Sequence, residues 1–318
     1  MKKDSKILVL GHKGLVGSAV VRELEKQGYT NIIVPGNRPW DGERFDLREP
    51  KEVSMVFHET NPEYVFLCAA MVGGIGINNE RSAEMIHNNL AIQTNVIEAS
   101  HVHQVKKLLF LGSSCIYPKF AQQPIKEEYL LTGELEKTNI GYAVAKIAGL
   151  IMCDMYRKQF GDNFISVMPT NLYGPGDNFH LENSHVLPAL IRKFHDAKEE
   201  GKGFVELWGS GTPMREFLYI DDLAEALVFL MNEYNESQPI NVGVGEDITI
   251  KNLAELIKTV VGFEGEIIWD ASKPDGTPKK LLDVSKINNL GWKAETDLSD
   301  GLKKTYDWFK SNYNDIRK

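Results

Sequence analysis

Short, largely apolar runs recur along the first half of the chain: "KILVLG", "NIIVPG", "YVFLCAA", "KLLFLGSS" and "FISVMPTN", each ending near Gly, Ser, Ala or Asn. Such runs read as strands buried on both faces. Between them lie helix-like stretches such as "LVGSAVVRELEKQG" and "LAIQTNVIEASHVH". Strands of this character alternating with helices predict an α/β fold, a doubly wound parallel sheet covered on both sides. After about residue 175 the pattern loosens. "GPGDNFHLENSH" predicts a polar loop and "VLPALIRKFHDAKEEG" a helix, while residues 202–233 predict a strand, a loop and another helix. The expected organisation is a nucleotide-binding domain over 1–175, to which 215–245 and the C-terminal helix return. Residues 176–214 and 246–298 would form a smaller C-terminal α/β substrate-binding domain. No internal repeat or low-complexity segment is visible.

Composition narrows the class. The 318 residues, 42% hydrophobic and 25% charged, suffice for one large domain and a smaller one. No stretch approaches the roughly 18 apolar residues of a membrane helix. The N-terminal "MKKDSKILVLGHKG" runs straight into a strand pattern, without the apolar region and cleavage site of a signal peptide. Cys68, Cys115 and Cys153 are widely spaced, suggesting neither a disulfide framework nor a metal site. A reduced, cytoplasmic protein without a metal is expected. The net charge of −8 argues against a general nucleic-acid binder, while allowing a local basic pocket for a phosphorylated small molecule.

Candidate chemistry begins in "GHKGLVG", where Gly11, Gly14 and Gly17 follow a strand and open a helix. A dinucleotide pyrophosphate needs this close backbone approach and a helix N-terminus aimed at it. The context defines a Rossmann-type half. NAD sites usually carry an acid at the tip of the second strand. Here "IIVPGNRPW" has none and places Arg38 just beyond, with Lys13 in the glycine loop. Two cations and no carboxylate favour a 2′-phosphate, hence NADP(H), unless Arg38 is a plain solvated charge. Asp46 in "RFDLRE" either holds the adenine amino group or caps the next helix.

Tyr142 and Lys146, in "YAVAK", stand at i and i+4 and so share a helix face. A free phenol, with pKa near ~10, is a poor acid–base group at neutral pH. An ammonium about 4 Å away, at an effective dielectric of ~20, would favour the phenolate by about 4 kcal/mol. Lys146 is therefore expected to lower the Tyr142 pKa and to hold a nicotinamide ribose hydroxyl.

The ordered set "GHKGLVG", "GSSCIYP", "YAVAK" and "PTNLYGPGDNFH" resembles the extended short-chain dehydrogenase/reductase superfamily. Within it, "SSCIYPKFAQQPIKEE", "NSHVLPALIRKFH", "WGSGTPMREF" and "KPDGTPKKLLDV" are similar to the GDP-L-fucose synthase family, over essentially the whole chain. The resemblance implies a bifunctional enzyme that epimerises C3 and C5 of GDP-4-keto-6-deoxy-D-mannose and reduces C4 with NADPH. It places Ser113 on the C4 oxygen, Tyr142 as the acid protonating that oxygen, and Lys146 as its tuning partner. Cys115 and His185 become the epimerisation pair, since inverting a carbon needs acid–base groups on both faces of the ring. A thiol and an imidazole titrate nearest neutrality among side chains. Cys115 as a small inert loop residue and His185 as a surface histidine are the plain alternatives. Cys68 and Cys153 look like core positions.

The same resemblance implies a cofactor site of Gly11, His12, Lys13, Gly14, Leu15, Val16, Gly17, Arg38, Leu111, Gly112, Ser113 and Ser114. Lys146, Pro169, Thr170, Asn171, Leu172 and His185 complete it. For the GDP-sugar it points to Lys193, Trp208, Arg215 and Asp275. A basic pair neutralises diphosphate, an indole stacks or merely packs, and a carboxylate takes hydroxyl or guanine N–H groups or simply holds a turn. Lysines replace expected arginines at positions 13 and 193, which keeps charge but loses the planar fork. A 4-epimerase or a 4,6-dehydratase of the same fold is the nearest rival. A dehydratase shows Asp-Glu after its Ser/Thr, where this chain has Ser-Cys. A non-catalytic cofactor sensor would tend to lose Tyr142 or Lys146. Relatives pair as homodimers through the helices of Tyr142 and "NNLAIQTNVIEAS", whose apolar faces would equally suit packing within one chain.

Overall fold

The computed structural model describes residues 1–36, 45–181, 183–273 and 275–316. Strands β1 (Ile7–Leu10), β2 (Ile32–Ile33), β3 (Tyr64–Leu67), β4 (Lys107–Leu111) and β5 (Phe164–Pro169) correspond to the apolar runs. Helices α1 (Leu15–Lys26), α2 (Pro50–Thr60), α3 (Ile75–Glu80), α4 (Ser82–Val102) and α5 (Ile140–Phe160) connect them. Every residue of β1, β4 and β5 is buried, which explains why their sequences do not alternate.

The remainder of the chain carries β6 (Asn171–Tyr173), α6 (Val186–Glu199), β7 (Phe204–Trp208), β8 (Met214–Arg215), β9 (Phe217–Tyr219) and α7 (Ile220–Glu233). There follow β10 (Ile240–Val242), β11 (Ile248–Thr249), α8 (Ile250–Val261), β12 (Glu266–Asp270), β13 (Lys279–Lys280), α9 (Ser285–Leu290) and α10 (Leu298–Ser311). The main sheet has the order β10-β5-β4-β3-β1-β2, and its pairs are parallel. Smaller sheets join β11-β8-β13, β12-β7 and β6-β9.

Two hydrophobic clusters result. The first packs the main sheet against Val20 and Leu24 of α1, Val96 and Ile97 of α4, Ile147 and Leu150 of α5, and Leu223 and Leu227 of α7. The second gathers Leu187, Ile191 and Phe194 of α6 with Val205 and Leu207 of β7 and Leu253 and Ile257 of α8. Two segments differ from expectation. The C-terminal helix puts Leu302, Tyr306 and Phe309 into the second cluster, not the first. Conversely Leu282, Val284, Ile287 and Trp292, expected with the smaller domain, pack on the first. An amphipathic pattern states which face is buried but not which core receives it.

Candidate active site

The chain runs outward from β1 to β2, then returns to β3 on the other side of β1. A crevice opens at such a reversal, beyond the strand carboxyl ends. Gly11 sits there with φ +90°, and a Cβ on it would lie 2.7 Å from the Ala69 nitrogen. A Cβ on Gly17 would overlap the Gly11 carbonyl, so the turn and α1 touch backbone to backbone. At the start of α1 the cap is Gly14, no described side chain bonds across it, and its first turn carries no acid. Its amides and dipole are open to an anion, which fits the pyrophosphate of a dinucleotide. Lys13 is exposed beside this loop. Arg38, the other cation assigned to a 2′-phosphate, lies outside the described residues. Asp46 does not cap α2, whose cap position is Glu49. Its carboxylate instead accepts bonds from Arg48, at 2.6 Å from Nη2 and 2.9 Å from the backbone N–H.

From the glycine loop a cavity of about 550 Å³ runs to the end of β4 and the start of α6. It is lined by Gly11, Gly14, Leu15 and Val16, by Leu111, Gly112, Ser113, Ser114 and Cys115, and by Tyr142 and Lys146. Pro169, Thr170, Asn171, Leu172 and His185 complete the far wall. Thus residues that five separate stretches of sequence suggested face one space. His12, Lys13 and Gly17 are not on its surface, nor are Lys193, Trp208, Arg215 and Asp275. Cys68, expected in the core, lines the cavity as well. Burial holds its thiol up at about 12, partly offset by Lys146, so it stays protonated. Cys153 is buried, as expected.

Beyond β4 a short 3-10 helix, Ser114–Ile116, is capped by Ser113, whose Oγ accepts from the Cys115 N–H at 3.2 Å. This turn aims both side chains at the cavity. Tyr142 enters from the first turn of α5 and hydrogen-bonds with Ser113. The i, i+4 expectation for Lys146 needs correction. Its Nζ donates to the Leu111 carbonyl at 2.8 Å and lies over the Phe110 ring, 5.9 Å from the Tyr142 ring centre. Burial, with the Cys115 charge adding to it, pushes the Tyr142 phenol up despite the Ser113 bond. Lys146 is itself depressed to about 8, chiefly by burial, with Cys68 opposing. The phenol is thus raised here, not lowered as the spacing predicts.

The Cys115 thiol has different surroundings. Burial, the largest influence, raises its pKa. The charge of Lys280 and hydrogen bonds with Ser113, Lys280 and Asn139 together outweigh it and leave the thiol below its usual value. Lys280 Nζ stands 3.4 Å from Sγ. The register pairs Lys280 on β13 with Arg215 on β8, and Cys115 in turn acts on the Arg215 charge. His185, at the α6 cap position, keeps solvent contact at the cavity mouth. The atoms packed around its ring still disfavour imidazolium, and Lys280 adds to this, so its pKa is lowered.

A second group of side chains lies outside the cavity lining. Trp208 ends β7 with 68% of its surface exposed, so it is not a core residue. Lys193 stands 5.8 Å and Lys273 5.6 Å from its ring centre. Asp275 accepts from the Ser210 N–H at 2.9 Å and Oγ at 2.6 Å, which holds the turn after Trp208. A Cβ on Gly276 would lie 3.0 Å from Arg215 Nη2, so the segment that carries Asp275 also approaches the arginine. Burial lowers the pKa of Lys193 and of Arg215. A desolvated lysine beside an exposed indole, with a desolvated arginine at the neighbouring turn, suits a nucleoside diphosphate.

Sequence reasoning missed Lys280, Lys273, Asn139 and Arg48. Lys280 and Lys273 lie within the quoted "KPDGTPKKLLDV", but nothing in that string distinguishes its three lysines.

Comparison with known proteins agrees with this geometry. The NAD dependent epimerase/dehydratase family matches residues 7–243. GDP-L-fucose synthase 1 of Arabidopsis thaliana is 56% identical over 310 residues, 98% of this chain and 94% of that protein. GDP-L-fucose synthase of Escherichia coli K12 is 48% identical over 321 residues, 98% of each chain. A GDP-L-fucose synthetase from Naegleria fowleri bound to NADP superposes with a TM-score of 0.90 at 32% identity, covering 100% of this chain and 98% of the other. With the glycine loop at the sheet reversal and Ser113, Tyr142 and Lys146 on one cavity, the chain belongs to the NAD dependent epimerase/dehydratase family and, within it, to the GDP-L-fucose synthases.

Proposed function

We propose that this chain converts GDP-4-keto-6-deoxy-D-mannose to GDP-L-fucose, using one cavity for 3,5-epimerisation and for reduction at C4 with NADP(H). The observation that carries the reading is that Ser113, Cys115, Tyr142 and His185 line the same space as the glycine loop. When bound, NADPH supplies hydride to C4. Ser113 and Tyr142 grip the C4 ketone oxygen, and their hydrogen bonds stabilise the enolate that forms when a proton leaves C3 or C5. Cys115, with Lys280 beside it, and His185, held neutral, are the two groups that exchange those protons on opposite ring faces. A phenol held protonated by burial suits Tyr142 as the acid that protonates the C4 oxygen during reduction.

Backbone amides of the glycine loop and α1 would hold the cofactor pyrophosphate, Lys146 would take a nicotinamide ribose hydroxyl, and Lys13 and Arg38 would favour a 2′-phosphate. The smaller unit around the second cluster is the substrate domain. There Lys193 and Arg215 take the diphosphate, Trp208 takes the base, and Asp275 fixes the turn between them. A free thiol at Cys115 is suited to a reducing, cytoplasmic setting. The protein acts as a homodimer joined through α4 and α5. Ile140, Val144, Ile151 and Met155 give α5 an exposed apolar stripe at helical spacing, 48%, 38%, 39% and 44% accessible.

The reading is tested by incubating the ketosugar with NADPH or NADH. A fuco product with kcat/KM higher for NADPH supports it. A higher value with NADH would remove the roles of Lys13 and Arg38, and no fuco product would contradict the reading itself.

A further inference from the structure

Glu216 is a fully buried acid, 0% exposed, next in sequence to Arg215. Its Oε1 accepts from the N–H groups of Val244 and Gly245, both at 2.7 Å, and its Oε2 accepts from Leu282 N–H at 3.0 Å. A Cβ on Gly243 would collide with Oε1, so the loop after β10 is shaped to let the carboxylate in. The backbone carbonyl of Glu216 accepts from Asn171 Nδ2 at 2.8 Å and Thr170 Oγ1 at 3.3 Å, both on the cavity wall. One residue thereby joins three segments: the β5–β6 wall, the 244–245 turn, and the segment that leaves β13.

Those segments carry the cations. Leu282 follows Lys280 by two positions, Arg215 precedes Glu216 by one, and Arg215 and Lys280 are register partners. The β13 segment is held from its other side by Gln123, whose Oε1 accepts from Leu281 N–H at 2.8 Å. It also bonds Ile125, whose N–H donates to the Leu281 carbonyl at 2.7 Å. Gln123 and Ile125 belong to the loop that continues from Cys115. The thiol and its cation are therefore linked through the 123–125 loop and Leu281, and Glu216 anchors the same segment at Leu282.

We propose that Glu216 is a positioning residue that holds Lys280, together with Arg215, against Cys115. This rests on the reading of Cys115 as a proton-exchanging group. Groups from every neighbouring element face that thiol: Lys280 from β13, Arg215 from β8, Tyr142 from α5, and Ser113 and Asn139 from the loops. His185 shares Lys280 across the cavity. A carboxylate alone accepts at both ends. A glutamine keeps one oxygen and turns an NH2 toward an N–H, so one segment must move. Burial raises the Glu216 pKa and the backbone N–H groups oppose this, as for an acid retained for geometry rather than for surface charge.

The test is the pH dependence of Cys115 alkylation by iodoacetamide in the full chain without substrate, read at the Cys115 peptide by mass spectrometry. Glu216→Gln should slow alkylation at pH 7.5 by about tenfold and move its midpoint up by about one pH unit. NADPH binding should be retained, because the substitution keeps the backbone carbonyl that accepts from Thr170 and Asn171. If Glu216→Gln does not fold, Gln123→Ala loosens the same strand from its other side and should slow alkylation about threefold. An alkylation profile unchanged in the variant that folds, with turnover lost, would reduce Glu216 to a scaffold residue and overturn the proposal. The reading it rests on fails separately: Cys115→Ser would keep C3/C5 proton exchange while Glu216→Gln still slowed alkylation.

Discussion

Lys280 Nζ lies 3.4 Å from Cys115 Sγ, a contact between residues 165 positions apart. Lys280 lowers the pKa of the thiol and also that of His185. Replacing it with an uncharged residue should raise both. Lys280→Met is therefore expected to shift both limbs of the epimerisation pH profile to higher pH, with a loss of roughly 10–100-fold at pH 7 that is partly recovered by pH 9. A profile reduced in height but unmoved along the pH axis would show that the charge does not act on these groups.

Tyr142 is a buried phenol beside Ser113, and burial pushes its pKa further up. Tyr142→Phe removes the proton destined for the C4 oxygen. Reduction of a pre-epimerised ketosugar should slow by about 10²-fold or more, while NADPH still binds. Unchanged turnover would take Tyr142 out of the mechanism.

Lys146 is 3% exposed and its ammonium is depressed to about 8, against an ordinary value of 10.5. The folded state binds this proton less tightly than the unfolded chain, so the penalty is full below pH ~8 and is relieved as pH rises towards ~10.5. Without ligands, wild-type stability should thus rise by about 2 kcal/mol relative to Lys146→Met between pH 7.5 and 9.5. Urea unfolding at the two pH values reads the difference. A constant gap would mean that the lysine titrates as in solvent.

The exposed apolar positions of α5 recur along one side of the helix. A charge at the middle of that stripe, Ile151→Glu, should convert a dimer into a monomer by light scattering without lowering NADPH affinity by more than about twofold. A wild-type chain that already runs as a monomer would contradict the dimer.

The parts of the site that could be read from sequence are those fixed locally. Gly11, Gly14 and Gly17, the Ser113–Cys115 turn and the α5 pair each occupy a few consecutive positions at the end of a strand or the start of a helix. Local backbone geometry delivers them to the sheet edge. The Tyr142–Lys146 spacing predicts a shared face but does not fix the acceptor of the ammonium. A long side chain has several acceptors within reach, and Lys146 took the Leu111 carbonyl. Lys280 and Glu216 were invisible because their roles arise where β8 meets β13, strands of two residues each with no apolar pattern of their own. The destinations of α10 and of the 282–292 segment are not legible for a related reason, since either core could cover the same amphipathic face.

The most direct test of the account follows solvent hydrogen. GDP-4-keto-6-deoxy-D-mannose is incubated with NADPH in D₂O, with the intact chain and with Cys115→Ser, and the product is read by NMR. The account predicts deuterium at C3 and C5 of a fuco product from the intact chain. In the variant that exchange should be lost while a pre-epimerised ketosugar is still reduced. Deuterium incorporation undiminished in the variant, or both activities lost together, would contradict the claim that one gripped ketone serves two separable steps.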